Sequence, residues 1–271
     1  MRKINKKYIA ALVAMSMAPV SSAMAWGPER PTYTMNNPAS SATFNSITDN
    51  PVLGDERNFV RIAEKGANGE FGDEINIEPG KTYEVYIGYH NDAATNTNET
   101  GVGIAQQVRL SSTFPNTMKA GERSMVSAMI TAVDTTPDKV WDEAYMTAST
   151  NVKLSYRASS AIIYNGWDIN GSILSTDLFT EKGTYLGVKK LDGLVYGCAE
   201  YSGHVIYDIM VEEIPAELPK TGPAETAMAI AIILGISGGC FYLYRSKRML
   251  QKVTDSVNGT DNIETPKDDK E

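Results

Sequence analysis

Two cysteines and two histidines are all that 271 residues hold of the side chains most used for nucleophilic and metal chemistry. Cys198 stands in the long middle stretch and Cys240 inside a terminal apolar run, so export would separate them and leave no intrachain disulfide. His90 and His204 are the only histidines, which excludes any site built from several imidazoles. The chain has no Gly-rich phosphate loop and no metal-spaced His/Cys cluster. Basic charge is also scarce. Between Trp26 and Thr221, 15 Lys and Arg face 26 Asp and Glu, a net −11, which disfavours nucleic acid and anionic lipid as partners. Between Trp26 and Pro215 there is no helical stripe, no Gly/Pro-rich linker and no clear internal repeat.

Long apolar runs occur twice, one at each end. Arg2, Lys3, Lys6 and Lys7 precede the run Tyr8 to Val20, and small residues follow, ending Ala23-Met24-Ala25. This is the pattern of a secretory signal peptide over residues 1–25, with cleavage after Ala25 leaving Trp26 first. The second run, residues 225–244, is long enough for a transmembrane helix across a ~30 Å hydrocarbon core. Arg245, Lys247 and Arg248 come next, retaining that end in the cytoplasm, and an acidic tail completes residues 245–271. Just ahead stands Leu218-Pro219-Lys220-Thr221-Gly222. Motif, apolar segment and basic cluster together resemble the L-P-x-T-G sorting signal of bacterial cell-wall proteins. The resemblance implies that a sortase recognises Leu218 and Pro219 and cuts between Thr221 and Gly222. A cysteine thiolate of that enzyme would attack the Thr221 carbonyl, and a cell-wall precursor amine would then displace the thioester. The chain would meet the membrane during sorting and end on the cell surface. The alternative is a single-pass membrane protein that sortase leaves uncut.

Residues 26–55, rich in Asn, Ser, Thr and Pro, read as an extended, loop-rich segment around one candidate strand, Ala42 to Ile47. Residues 56–213 read as strands. Tyr83, Val85, Ile87 and Tyr89 alternate with Glu84, Tyr86, Gly88 and His90, the period of a half-buried strand that turns His90 outward. Ile104, Val108, Leu110 and Phe114 form one apolar face, and Val126, Ala128, Ile130 and Ala132 another. Val205, Tyr207, Ile209 and Val211 face one way and leave His204 on the other. Short strands separated by turn signals predict an all-β fold, an antiparallel β-sandwich formed as one elaborated domain or two small ones. Residues 214–222 are then a spacer and sorting motif too short for a stalk.

The stretch KTYEVYIGYHNDAATNTNETGVGIAQQVRLSSTFP, Lys81 to Pro115, resembles the secreted domain-of-unknown-function family eleven, with its strand, Asn-rich loop and A-x-x-V-x-L…P strand. The later pieces VWDEAYM, VKLSYRASSAIIYN and GCAEYSGHVIYDIMV, with LPKTGP, resemble wall-anchored proteins of episymbiotic candidate-phylum bacteria. These resemblances imply an immunoglobulin-like sandwich and a surface location, and they carry no activity. A Lys–Asn isopeptide staple, known in wall-anchored immunoglobulin-like domains, has no lysine singled out in the sequence.

No catalytic constellation is legible, and a non-enzymatic role is expected. Cys198 and His204 flank Tyr-Ser-Gly with no third group implied. Asp142 and Glu143 are neighbours in a strand pattern, so they face opposite ways. Two binding chemistries remain. Asp49-Asn50 with Asp55-Glu56, and Asn91-Asp92 with Glu99, offer hard oxygen ligands of the kind Ca²⁺ takes, without a calcium-loop motif; solvated turns are the competing reading. Tyr86 with the polar loop Asn91 to Gly101, Asn91 and Asp92 at its start, offers an exposed aromatic beside amides, suited to a glycan or a host-cell protein. The leading expectation is surface display for envelope structure or adhesion; the alternative is a carbohydrate- or ligand-binding module.

Overall fold

The computed structural model describes residues 26–66 and 70–215. The expected signal peptide, sorting motif, transmembrane helix and Arg245, Lys247 and Arg248 lie outside the described residues. Among the described residues no helix is long and apolar enough to cross a membrane.

The fold is all-β, in two sheets. Its strands are β1 (Val60–Glu64), β2 (Glu74–Ile77), β3 (Thr82–Tyr89), β4 (Arg109–Thr113), β5 (Thr117–Met118) and β6 (Arg123–Thr131). They continue as β7 (Lys139–Ala148), β8 (Val152–Tyr156), β9 (Ile162–Asn165), β10 (Ser172–Ile173), β11 (Thr184–Tyr185) and β12 (Gly203–Glu213). The larger sheet runs β1-β3-β12-β8-β5, with β9 also on β12 and β10 on β9; the smaller runs β11-β4-β6-β7-β2. All pairings are antiparallel except the parallel edge β2–β7, which the sequence reading did not anticipate.

The last strand is the spine of the larger sheet. Along one edge β12 pairs with β3 from Gly203 to Met210. Its other edge takes β9 against Gly203 to Ile206 and then β8 against Ile209 to Glu213. The two-residue period expected for these strands is what packs the molecule. Val205, Tyr207 and Ile209 of β12 and Tyr83, Val85 and Ile87 of β3 are at most 1% exposed. Val126, Ala128 and Ile130 of β6 and Val140, Ala144 and Met146 of β7 meet them from the smaller sheet in one shared core. Burying each large apolar side chain contributes roughly 1.5–3 kcal/mol, so the register is strongly fixed.

The segment before β1 differs from expectation. Ala42 to Ile47 forms no strand; it makes single bridges, Phe44 to Asn91 and Ile47 to Tyr33. Asn45 has φ of 49°, a left-handed conformation that an asparagine tolerates and that breaks an extended run. Its side chain serves the neighbouring sheet instead, donating to the Gly88 carbonyl at 3.0 Å and accepting from the His90 N–H at 2.8 Å. Ala42, Phe44 and Ile47 are buried all the same. This loop-rich segment therefore lies over the end of β3, and that cover places the site.

Candidate functional site

A groove of about 390 Å³ runs along the outer face of the larger sheet. Its floor and wall follow from register. His204 on β12 stands opposite Gly88 of β3 on one side and Tyr164 of β9 on the other. Gly88 carries no side chain, which leaves room for the His204 ring to stack on Tyr86 at 4.9 Å and on Tyr164 at 5.2 Å. Phe71 extends the row, 5.5 Å from Tyr86. Asn45, Asn50 and Glu56 line the groove from the segment before β1, Asn165 lines it from the end of β9, and Asn170 and Ser202 line it from the neighbouring loops. Burial pushes the His204 pKa down and the Tyr86 pKa up, the latter opposed by the Arg61 charge. An aromatic row bordered by amides and a hydroxyl can bind a ligand that presents both an apolar face and hydroxyl groups.

At the covered end of the groove, Glu56, His90 and Asp92 converge, all three buried. His90 Nδ1 lies 3.0 and 2.9 Å from the two Glu56 oxygens and 3.3 Å from Asp92 Oδ1. Asn50 Nδ2 donates to Glu56 Oε1 at 2.6 Å, and the Ser46 N–H donates to Asp92 Oδ2 at 2.5 Å. Asp92 Oδ1 and His90 Nε2 have no hydrogen-bond partner. Burial, followed by the Glu56 charge, holds the Asp92 carboxyl well above the usual carboxylate range. One donor atom from each of the three residues falls within 4.8 Å of the others, so together they could hold a metal ion.

These positions correct several expectations. His90 is 4% exposed rather than solvated, because the Phe44–Ser46 segment covers the outer face where β3 ends. Asn91 and Asp92, expected on an exposed face beside Tyr86, are buried instead, at 0% and 1% exposed. The Asn91 amide holds backbone together, donating to the Gly103 and Val195 carbonyls at 2.8 and 2.9 Å. Tyr86 is half-buried in the groove wall rather than free on a solvent face. The oxygen-rich loops are dealt out differently too. Asp49 accepts from the Met35 N–H, Asp55 is paired with Arg57 at 2.6 Å, Asn50 bonds Glu56, and it is Glu56 and Asp92, from different loops, whose carboxylates come together.

Cys198 is half-buried; it lines a smaller cavity of about 170 Å³ together with His90 and Asp92, whereas His204 belongs to the groove. Asp142 points into the core and Glu143 does not, as expected for neighbours on a strand. Trp26, the residue after the expected signal cleavage, lies under the Arg57 guanidinium at 4.7 Å, and Gly27 pairs with Trp141 of β7. The residue that sequence reasoning missed is His90. Its alternation within β3 was legible, but the segment that covers it comes from a distant part of the chain. No protein-family model, curated protein or solved structure gives a significant match to this chain.

Proposed function

We propose that this chain is a sortase-anchored cell-surface protein that displays an elaborated immunoglobulin-like β-sandwich for envelope structure or for adhesion to a partner cell. One observation carries this reading: the folded unit fills the sequence between the two addresses. It is already tied in at Gly27, one residue after the expected mature start, by paired hydrogen bonds with Trp141 of 2.9 and 2.8 Å. Its last backbone bond among the described residues, Ile214 N–H to the Asn151 carbonyl at 2.8 Å, falls four residues before Leu218. Seven residues from Ile214 to Thr221 span at most ~25 Å, which leaves no length for a stalk. A net charge of −11 on the exported part suits a soluble coat whose copies repel one another.

The test is mass spectrometry of the purified envelope fraction. A peptide ending at Thr221 and joined to a wall amine is the expected product, and Thr221→Ala should abolish it. An intact peptide running through Gly222 into residues 225–244 would instead mean a one-pass membrane protein.

The aromatic row Tyr86–His204–Tyr164 favours a second reading, in which the displayed groove binds a carbohydrate or similar ligand. Glycan-array binding that falls at least tenfold on Tyr164→Ala supports it, and binding unchanged by Tyr164→Ala and Tyr86→Ala rejects it.

A further inference from the structure

We infer that Glu56, His90 and Asp92 form a binding site for one divalent transition-metal ion of the zinc class. The inference starts from unmet hydrogen bonding. His90 Nδ1 can carry at most one proton, yet it faces three carboxylate oxygens at 2.9, 3.0 and 3.3 Å. Neither neutral tautomer resolves this. A proton on Nδ1 serves Glu56 and leaves both Nε2 and Asp92 Oδ1 without partners in a buried setting, where each costs free energy. A proton on Nε2 turns the Nδ1 lone pair toward the carboxylates. An ion between Nδ1, a Glu56 oxygen and Asp92 Oδ1 satisfies all three at once and leaves a single ring N–H.

The spacing suits such an ion. Ligands ~2.0–2.1 Å from a tetrahedral zinc stand ~3.3 Å apart, and tighter angles bring them to ~2.9 Å. The outer contacts are those a metal site needs to aim its carboxylates. Asn50 holds Glu56 Oε1 and the Ser46 N–H holds Asp92 Oδ2, each leaving the other oxygen of its carboxylate toward His90. Charge balances as well: two carboxylates and a neutral imidazole offset a divalent ion. The buried Arg30 contributes positive charge nearby, but its donors go to Ser46 Oγ and the Gly27, Pro28 and Asn45 carbonyls, not to the cluster.

Access is provided from two sides. Glu56 and His90 line the groove, and His90 and Asp92 line the smaller cavity. The nitrogen ligand and the small donor number set the selectivity. Calcium takes six to eight oxygens, whereas one imidazole and two carboxylates match zinc or manganese. Three protein ligands leave a tetrahedral ion one position for water or for a ligand group arriving through the groove. The site is independent of how the chain is anchored.

The test uses the untagged full chain in detergent, stripped with a chelator and titrated with Zn²⁺ by calorimetry, with elemental analysis of the gel-filtered product. One equivalent bound with micromolar or tighter Kd is expected, with at least tenfold weaker binding in Glu56→Gln and in Asp92→Asn. Both variants keep side-chain shape, and their melting in chelator reports whether they fold. His204→Gln, which removes the only other imidazole, should bind as the parent does. Cobalt in place of zinc should give a visible absorption band that His90→Gln abolishes. No retained metal in the parent protein overturns the inference; that is the result given by a metal-free cluster in which Asp92 donates a proton to Glu56. Equal uptake in Glu56→Gln and Asp92→Asn, or equal affinity for Ca²⁺, overturns it as well.

Discussion

Asp142 of β7 reaches across the sandwich to Val60 of β1, its Oδ2 accepting the Val60 N–H at 2.7 Å and the Phe59 N–H at the same distance. Strand β7 belongs to the smaller sheet and β1 to the larger, so one carboxylate oxygen joins the two sheets at the point where β1 begins. Asp142 is 2% exposed, and the amides it serves are buried. Asp142→Ala would leave two buried N–H groups without acceptors, each costing about 1–3 kcal/mol. The expected loss is about 2–4 kcal/mol by urea denaturation. A change below about 1 kcal/mol would mean that water or a shifted β1 replaces the bond.

The same carboxylate should shape the pH dependence of stability. Burial raises the Asp142 pKa to about 6, against three backbone hydrogen bonds that favour the charged form. A carboxyl whose folded pKa exceeds its unfolded value binds its proton more tightly when folded. Its contribution is therefore complete below about pH 4, is lost as pH rises to about 6, and stays constant above. The size is up to about 3 kcal/mol, taking ~1.4 kcal/mol for each unit of displacement. Asp142→Asn has no proton to lose there. The stability difference between parent and Asp142→Asn should thus change between pH 4 and 6 and be flat from 6.5 to 8; the opposite slope would mean that the backbone bonds outweigh burial.

A second inter-sheet bond lies two strands away in the same register row of the smaller sheet, where Ser112 and Asp142 both stand opposite Ala128. Ser112 Oγ of β4 donates to the Ser127 carbonyl at 2.8 Å, so its single proton is committed. The Tyr207 hydroxyl, 2.8 Å away, is then the donor to Ser112 Oγ. Tyr207 is fully buried, and burial raises its pKa, with Phe179 packed edge-on at 5.1 Å. Tyr207→Phe removes the hydrogen bond and keeps the packing, for an expected loss of about 1 kcal/mol. Tyr207→Ala opens a cavity between the sheets at about 3–5 kcal/mol. Chemical denaturation of the two variants separates the terms, and equal losses would mean that the hydroxyl, not the ring, is what matters.

Strands β3 and β12 were legible because a two-residue alternation sustained over eight and eleven residues has one solution in a sandwich. What alternation cannot see is a third layer. His90 follows β3 on the side that the pattern assigns to solvent, and only the fold brings Phe44, Asn45 and Ser46 over it. Asn91 and Asp92 were misjudged for a related reason. Their side chains usually serve turns by bonding nearby backbone, and here they bond backbone that arrives from Gly103, Val195 and Ser46. Glu56 and Asp92 were both legible as oxygen donors, in different loops. Their meeting at His90 is a tertiary fact without a local signature.

His204 should titrate below the ordinary histidine range of about 6.5 because its ring is desolvated between two tyrosines. Tyr164→Ala opens one face to water and should move the midpoint back upward. Proton NMR of the ring resonances follows both, and a midpoint above 6.5 in the parent would mean that the tyrosine faces stabilise the cation more than burial opposes it.

Gly203 offers a way to perturb the end of β12 beside the groove from the core side, since its Cβ position faces away from the His204 ring. It is the first residue of β12, beside His204, and a methyl group there would lie 2.5 Å from both the Tyr164 carbonyl oxygen and the Tyr89 hydroxyl. Backbone cannot give by that much without disturbing the β9–β12 pairing, in which Gly203 faces Asn165. The Tyr89 ring has little freedom either: it is 2% exposed, its hydroxyl lies 3.4 Å from Asn165 Nδ2, and burial pushes its pKa up to about 12. Gly203→Ala should therefore cost about 1–3 kcal/mol, the usual penalty for overfilling a packed site. Because the methyl acts at the end of β12 nearest the groove, the His204 resonance should shift while the Tyr207 ring, four residues further into the core, keeps its environment. Measured together, stability and the two ring signals discriminate between outcomes. A stability loss with both signals moved would mean that β12 shifts as a unit and the groove cannot be altered apart from the core. A loss with only His204 moved would establish the groove end as a separable region, open to redesign in binding tests.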